Sequence, residues 1–349
     1  MNAAVLLATP PPYAVPTRRI EWERRRRATR RTLWRLLGAL PERPDPVRAV
    51  LLARRAARHF VREELRIDNV AGAQIPATLL LPRHGRAPYP AVLYHHSHWG
   101  DYAVGRGELF EPWPTRETPA VALARRGFAV LSIDAYAFGQ RQGTGPGGPG
   151  ETGHTEEQSL SKLFLWQGTS LWAMMVRDDL IALDYLRRRP EIDPARIGAT
   201  GMSMGSTRSW WLAALDERVA AAACVACLTR YQDLVRGGAL RRHGIYYFVP
   251  GMLRHFDTEA VVSLIAPRPL LTLTGGRDGG SPVAGVRYLN RFCARVWRLY
   301  GQRRLFAGTV YPRLGHVYTR AMWTRTLGWL ETHLGAGSAS ARARRRAAG

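Results

Sequence analysis

The sequence predicts an α/β domain built on an eight-stranded, mostly parallel sheet with helices on both faces. Three observations carry that prediction. Continuous apolar runs, as at 91–96, 219–228 and 270–274, have the character of strands buried on both sides. In the later part of the chain such runs alternate with segments of helical periodicity, the pattern of parallel strands joined by crossover helices. Finally, 46% of the 349 residues are hydrophobic, enough for a core on each face.

The elements follow in order. Residues 1–17 are expected to be disordered. Residues 20–40 read as a helix: Ile20, Leu33, Trp34, Leu36, Leu37 and Leu40 supply apolar positions, and Gly38 and Pro41 end it. Its arginine run reads as a solvated face. Asp45-Pro46 reads as the start of a second helix, with Val47, Val50, Leu51 and Ala57 at helical spacing. Residues 1–59 are thus expected to form an N-terminal arm of two basic helices.

At Phe60 the pattern changes. Residues 60–67 and 75–81 read as an antiparallel strand pair, 91–96 as a third strand and 128–135 as a fourth. A Gly/Pro-rich loop at 139–153 is expected to be mobile. Residues 172–188 read as a helix, and 197–200 as strand five. Runs at 219–228, 270–274 and 305–311 complete the eight. Between strands six and seven, residues 229–256 form a long insertion that reads as a small cap. The main domain is expected over 60–334, followed by an Arg/Ala-rich disordered tail at 335–349. No internal repeat appears.

The net charge of +24 rests on 51 basic residues, of which Lys162 is the single lysine. That arginine bias, beside abundant alanine and glycine, reads as a coding-sequence bias rather than a nucleic-acid footprint. Much of the charge also lies outside the main domain, at 18–66 and 342–346. No basic stripe with interleaved aromatics accompanies it, so no nucleic-acid partner is expected. Three cysteines are too few for a disulfide framework. Cys224 and Cys227 lie in an apolar run read as a strand, where residues three apart face opposite sides. No run is long enough to span a membrane. The N-terminus has no basic region before its short apolar stretch, so a cytoplasmic location is expected.

The stretch at 196–211 organises the rest. It contains Gly201-Met202-Ser203-Met204-Gly205, a G-x-S-x-G match after an apolar strand and before a helical segment. In that context the pattern reads as a nucleophile elbow, with Ser203 exposed at the apex of a strained turn. Glycines two residues to either side avoid collisions of a Cβ with neighbouring backbone. The backbone N–H of Met204 would then face the carbonyl under attack. An inert serine in a Gly-rich turn is the blander reading.

Catalytic residues of an open parallel sheet gather at the carboxyl ends of its strands. Ser203 follows strand five, Asp278 strand seven and His316 strand eight, the chain order Ser…Asp…His. A serine needs an imidazole to take its proton, and the imidazole needs a carboxylate to fix its tautomer. Asp134, Asp233 and Asp257 are competing acids. The loop after strand three, His95-His96-Ser97-His98-Trp99, offers a second oxyanion donor in the amides of Ser97 and His98. His96 and His98, with Asp101 nearby, also have metal-ligand character, but ligand spacing alone is weak and no second cluster matches. The imidazoles read rather as loop props or pocket lining. Asp178 and Asp179 read as structural. His96, Trp99, Tyr246 and Tyr247 are candidates for a substrate pocket; Trp113 and Trp166 read either as pocket or as core.

Further segments carry a family resemblance: Leu40-Pro-Glu-Arg-Pro44, Pro90-Ala-Val-Leu-Tyr-His-His96, Arg177-Asp-Asp-Leu-Ile-Ala-Leu-Asp-Tyr-Leu186 and Ile265-Ala-Pro-Arg-Pro-Leu270. With the elbow, Asp278 and Gly315-His316, they resemble the α/β-hydrolase superfamily, in its dienelactone-hydrolase-like and acetyl xylan esterase-like branch. The resemblance covers roughly residues 30–334. It implies the α/β-hydrolase fold and serine chemistry on a small-molecule ester, without a cofactor or metal. Where that family usually has His-Gly after strand three, this chain has His96-Ser97.

The expectation is therefore a serine esterase acting on short acyl esters, possibly of sugars, or on lactones. A prolyl-oligopeptidase-like peptidase shares the triad, though no propeller repeats appear here. A metal-dependent hydrolase built on His96 and His98, and a non-enzymatic scaffold, are the other readings.

Overall fold

A computed structural model describes residues 9–70, 74–98, 100–113 and 115–335. The tail expected to be disordered, but for Gly335, and residues 1–8 lie outside these. The first helix, α1 (Arg19–Leu36), buries Trp22, Thr29 and Leu33 along one stripe and turns Arg24, Arg25, Arg27 and Arg31 to solvent. The second arm helix is not formed. Its place is taken by a strand, β1 (Ala49–Ala56), which pairs antiparallel with β2 (Phe60–Ile67). The helical spacing had no surface to bury: Val50, Leu51 and Leu52 remain about half exposed. Backbone pairing along β2 and the cross-strand Arg54–Glu63 ion pair at 3.5 Å decide the conformation instead. The arm thus holds one helix, and the sheet gains a ninth strand.

The chain continues through β3 (Ile75–Pro82), β4 (Tyr89–His95), α2 (Pro119–Ala124), β5 (Ala129–Ile133), α3 (His154–Trp166) and α4 (Leu171–Arg188). Then come β6 (Ile192–Met202), α5 (Met204–Leu215), β7 (Ala221–Val225), α6 (Tyr231–Arg236) and α7 (Thr258–Val262). β8 (Leu270–Gly275), α8 (Val283–Leu299), β9 (Phe306–Tyr311) and α9 (Arg320–Leu334) complete it. Local chemistry sets several starts. Ser170 caps α4, accepting from the Ala173 N–H at 3.2 Å, and Thr319 caps α9 through Met322.

Among the described residues the strands form one sheet, in the order β1-β2-β3-β5-β4-β6-β7-β8-β9. The first three strands are antiparallel additions at one edge, and β5 through β9 pair in parallel. Strands β3, β5, β7 and β8 are buried along their whole length. Alternate residues feed two cores. Leu79, Leu93 and Leu131 meet Trp172, Trp210 and Trp297 on one face. Leu80, Val92 and Val130 meet Trp323, Leu327 and Leu330 on the other.

Two further segments differ from expectation. The Gly/Pro-rich loop at 139–153 is packed: the buried Glu156 carboxylate accepts the N–H groups of Gly143, Thr144 and Gly145 at 2.8–3.1 Å, and Arg141 beneath it is ion-paired with Asp178 at 2.6 Å. The basic face of α1 is also only partly solvated. Arg26 and Arg30 reach Glu217 at 2.7 and 2.8 Å, and Arg30 donates to the Ala214 carbonyl at the end of α5. Arg268 donates to the carbonyls of Ala213, Asp216 and Val219 beside it. Among the described residues, no helix is long and apolar enough to cross a membrane.

Candidate active site

Strand β6 ends at Met202, Ser203 turns the chain, and α5 starts at Met204. Ser203 has φ +56°, a left-handed conformation unfavourable for a residue with a Cβ. The turn is held by the Ser203 N–H to the Val225 carbonyl at 2.9 Å, and by the Thr207 N–H to the Ser203 carbonyl at 3.0 Å. The flanking glycines are sterically required. A Cβ on Gly201 would lie 2.3 Å from the His95 carbonyl oxygen, and one on Gly205 only 2.0 Å from it. Their absence lets β4, β6 and α5 converge under the serine.

Two loops bring the other members. After β8, the Gly276 and Arg277 N–H groups donate to the carbonyls of Tyr311 and Leu314, at 2.7 and 2.8 Å. A Cβ on Gly275 would meet the Gly315 carbonyl at 2.0 Å, so this turn packs directly on the loop that carries His316. The result is a hydrogen-bonded chain. His316 Nδ1 lies 2.8 Å from Asp278 Oδ2, and His316 Nε2 lies 2.9 Å from Ser203 Oγ. Burial works against ionisation of Asp278, but the hydrogen bonds from His316 and the Gly280 amide outweigh it and hold its carboxyl below the usual range. An ionised carboxylate only accepts, so Nδ1 carries the proton and Nε2 presents its lone pair to the serine hydroxyl.

The competing acids are occupied elsewhere. Asp134 pairs with Arg106 and accepts the N–H of Gln140. Asp257 accepts the N–H groups of Tyr231, Gln232 and Thr258. Asp233 faces Arg230 and Arg236. Asp178 and Asp179 are buried with Arg141 and Arg208.

The first N–H groups of a helix have no intrahelical acceptor, and the Met204 amide, next to Ser203 at the start of α5, is one of these. On the opposite loop the Ser97 amide is already committed: it donates to Glu108 Oε2 at 2.8 Å, and Glu108 Oε1 accepts the Tyr94 hydroxyl at 2.7 Å. This corrects the expectation that Ser97 supplies an oxyanion donor and leaves His98 on that loop. His96 does not line a pocket. It is fully buried; its Nδ1 donates to the Ser97 carbonyl at 2.9 Å and its Nε2 accepts the Ala135 N–H at 3.1 Å. Burial chiefly draws its pKa down to about 3, so it is a neutral prop under the loop. With both nitrogens engaged it has no lone pair for a metal. Among the described residues, no group of three or more His, Cys, Asp or Glu is arranged to hold one.

The His98 ring stacks on Tyr246 at 5.2 Å and has Nε2 3.4 Å from the buried Glu157 carboxylate. Tyr246 and Tyr247 are themselves buried and pack the 229–256 insertion onto Trp172. Trp99 lies outside the described residues. Trp113 packs edge-on against Tyr318, whereas Trp166 is 90% exposed at the end of α3.

Two neighbours of the site escape sequence reasoning. Glu108 sits in a short turn with no spacing that ties it to Ser97. Cys227 is not inside a strand: β7 stops at Val225, and Ala226 and Cys227 adopt φ of +63° and +49°. Its Sγ lies 3.6 Å from Ser203 Oγ. Burial chiefly, with the Asp278 charge, pushes the Cys227 thiol up to about 12, so it is no thiolate nucleophile at neutral pH.

Residues 12–286 match the profile of the abhydrolase family. The chain is 34% identical over 307 residues to YtaP of Bacillus subtilis (strain 168), provisionally named a hydrolase, across 87% of this chain and 98% of YtaP. Over 194 residues it is 30% identical to the lasso peptide isopeptidase AtxE2 of Asticcacaulis excentricus, across 52% of this chain and 25% of that protein. Among solved structures it resembles a glucuronoyl esterase from Solibacter usitatus, with TM-score 0.67 at 16% identity over 94% of this chain and 100% of the other. It also resembles acetyl xylan esterase 1 from Thermoanaerobacterium sp. JW/SL YS485, with TM-score 0.55 at 19% identity over 95% and 98%. At such identities the likeness is one of fold. With a profile match over most of its length and a relative that aligns nearly end to end, the chain belongs to the abhydrolase family.

Proposed function

We propose that the chain is a serine hydrolase that cleaves carboxylic esters through an acyl-enzyme. The observation that carries this reading is the unbroken chain Ser203 Oγ–His316 Nε2, His316 Nδ1–Asp278 Oδ2 at the apex of a strained elbow. Ser203 attacks the ester carbonyl as its proton passes to His316 Nε2. Asp278 keeps the imidazole in the Nδ1–H tautomer and stabilises the cation. The amides of Met204 and His98 hold the developing oxyanion. His316 returns the proton to the leaving alcohol, and water repeats the sequence on the acyl-enzyme. Short acyl groups on sugars, or lactones, are the substrate class that the resemblance to carbohydrate esterases favours.

The similarity to an isopeptidase supports amide hydrolysis as the second reading, since the same chain of residues serves both bonds. The test is fluorophosphonate labelling mapped by mass spectrometry, followed by a panel of acetyl, lactone, sugar-ester and peptide substrates. Label on Ser203 with ester turnover is expected. Ester turnover without label on Ser203 refutes the serine mechanism, and peptide turnover alone selects the second reading.

A further inference from the structure

The insertion at 229–256 reaches back to the turn that carries Asp278. Its first residue, Thr229, donates its hydroxyl to the Gly280 carbonyl oxygen at 2.9 Å. His243, further into the insertion, places Nε2 2.7 Å from the same oxygen. A carbonyl only accepts, so this nitrogen carries the ring proton. Gly280 in turn donates its N–H to Asp278 Oδ1 at 2.9 Å, the carboxylate oxygen that His316 does not use. One glycine thus links the insertion to the carboxylate.

Both ends of this link have physical reasons to matter. The turn runs Asp278-Gly279-Gly280, and tandem glycines are the least restricted backbone available. Its geometry therefore depends on anchors from outside. The insertion is a fit anchor. Asp257 closes its base by accepting the N–H groups of Tyr231 and Gln232. The His243 ring lies flat on the buried Tyr247, with centroids 4.3 Å apart and planes 14° apart. The neighbouring Arg242 guanidinium occupies the space beside Gly279, where a Cβ would lie 2.8 Å from it.

We propose that His243 is a positioning residue for the triad acid: through the Gly280 carbonyl it holds the turn that aims the Asp278 carboxylate at His316. The proposal rests on the reading of Ser203, His316 and Asp278 as catalytic, and the experiment separates the two. Ester turnover that survives Ser203→Ala removes that reading whatever His243 does. With it in place, His243→Ala, His243→Gln and Thr229→Val are compared with the unaltered protein for kcat and KM on one ester and for the rate of phosphonate labelling. His243→Ala should lose about tenfold in kcat and labelling rate, with KM changed less than about twofold. His243→Gln keeps an N–H donor and should recover most of that loss. Thr229→Val leaves the second donor and should lose less than His243→Ala. The proposal is overturned by a His243→Ala kcat within about twofold of the unaltered protein, by a loss confined to KM, or by a glutamine variant no better than alanine. Should the alanine variant not fold, Thr229→Val decides. A kcat lowered about threefold at unchanged KM upholds the link through Gly280, and an unchanged kcat overturns it.

Discussion

Replacing Asp278 with asparagine tests the proposed role of Asp278 as triad acid at the level of single atoms. Both carboxylate oxygens face donors: Oδ2 meets His316 Nδ1 at 2.8 Å, and Oδ1 meets the Gly280 N–H at 2.9 Å. An amide has one acceptor and one donor end, so it satisfies only one of them. If its oxygen stays with Gly280, the NH₂ faces His316 and drives the ring to the Nε2–H tautomer. That tautomer donates to Ser203 Oγ and cannot take its proton. If the amide flips, the right tautomer survives but two N–H groups face each other at Gly280. The fixed backbone donor favours the first arrangement. In serine proteases the corresponding change costs about 10⁴ in kcat, or about 5.4 kcal/mol. Because the flipped arrangement offers partial escape, a loss on the order of 10²–10⁴ is expected here. KM should stay nearly constant, since Asp278 is buried and would act on the substrate only through His316. Steady-state kinetics on one ester, with circular dichroism as the folding control, measures both. An Asp278→Asn protein that keeps more than about a tenth of its kcat refutes the assignment, as does a change confined to KM.

Other outcomes follow from the same geometry. Gly205→Ala places a Cβ 2.0 Å from the His95 carbonyl oxygen, where backbone rather than a flexible side chain must yield. It should destabilise the fold by about 3 kcal/mol and lower Tm by roughly 4 °C in calorimetry; an unchanged Tm would show that the three elements are not in contact there. Burial opposes the charge of Asp179, but Arg208 and His95 outweigh it and hold its pKa well below the usual range. Stability from a depressed carboxylate is whole above its unfolded pKa, about 3.9, and is lost as the pH falls through the folded value. The denaturation-midpoint gap between the unaltered protein and Asp179→Asn should therefore be flat above about pH 5 and close below about pH 4; a gap constant into acid contradicts the ion pair. Ester turnover should survive prolonged dialysis against a chelator, and a loss restored by zinc would move the chemistry to a metal.

The parts of this fold that were legible are those where a residue type has a single physical use. Gly201 and Gly205 flank Ser203 because only hydrogen fits between β4, β6 and α5, and that constraint stands openly in the sequence. The burial of β7 and β8 on both faces reads directly as apolar runs. Strand β1 was illegible because its conformation comes from its partner: Val50, Leu51 and Leu52 bury little, so their spacing carries no signal. The 139–153 loop misled for a related reason. Glycine and proline report that a segment lacks regular structure, not whether a buried carboxylate such as Glu156 gathers its amides. In the candidate site, Asp278 and His316 were singled out by their place after strands, and the structure brings them into one hydrogen-bonded chain with Ser203. The engagement of Ser97 by Glu108 and the turning of Cys227 toward Ser203 arise from backbone conformations that no short motif encodes.

The arginines around the far end of α5 alter what the N-terminal helix means for the molecule. The peptide units of α5 align with their positive poles toward Ser203 and their negative poles toward Ala213, Ala214 and Leu215. Arg30 from α1 and Arg268 from the loop before β8 donate to carbonyls at that negative pole, while Arg26 and Arg30 share Glu217 just beyond it. Two of these three counter-charges come from a segment nearly two hundred residues earlier in the chain. Shortening the protein to its sheet domain would strip them away and leave Arg268, of these three, at the negative pole. The field along α5, whose other end begins at Ser203, is therefore set in part by a helix that reaches only its far end.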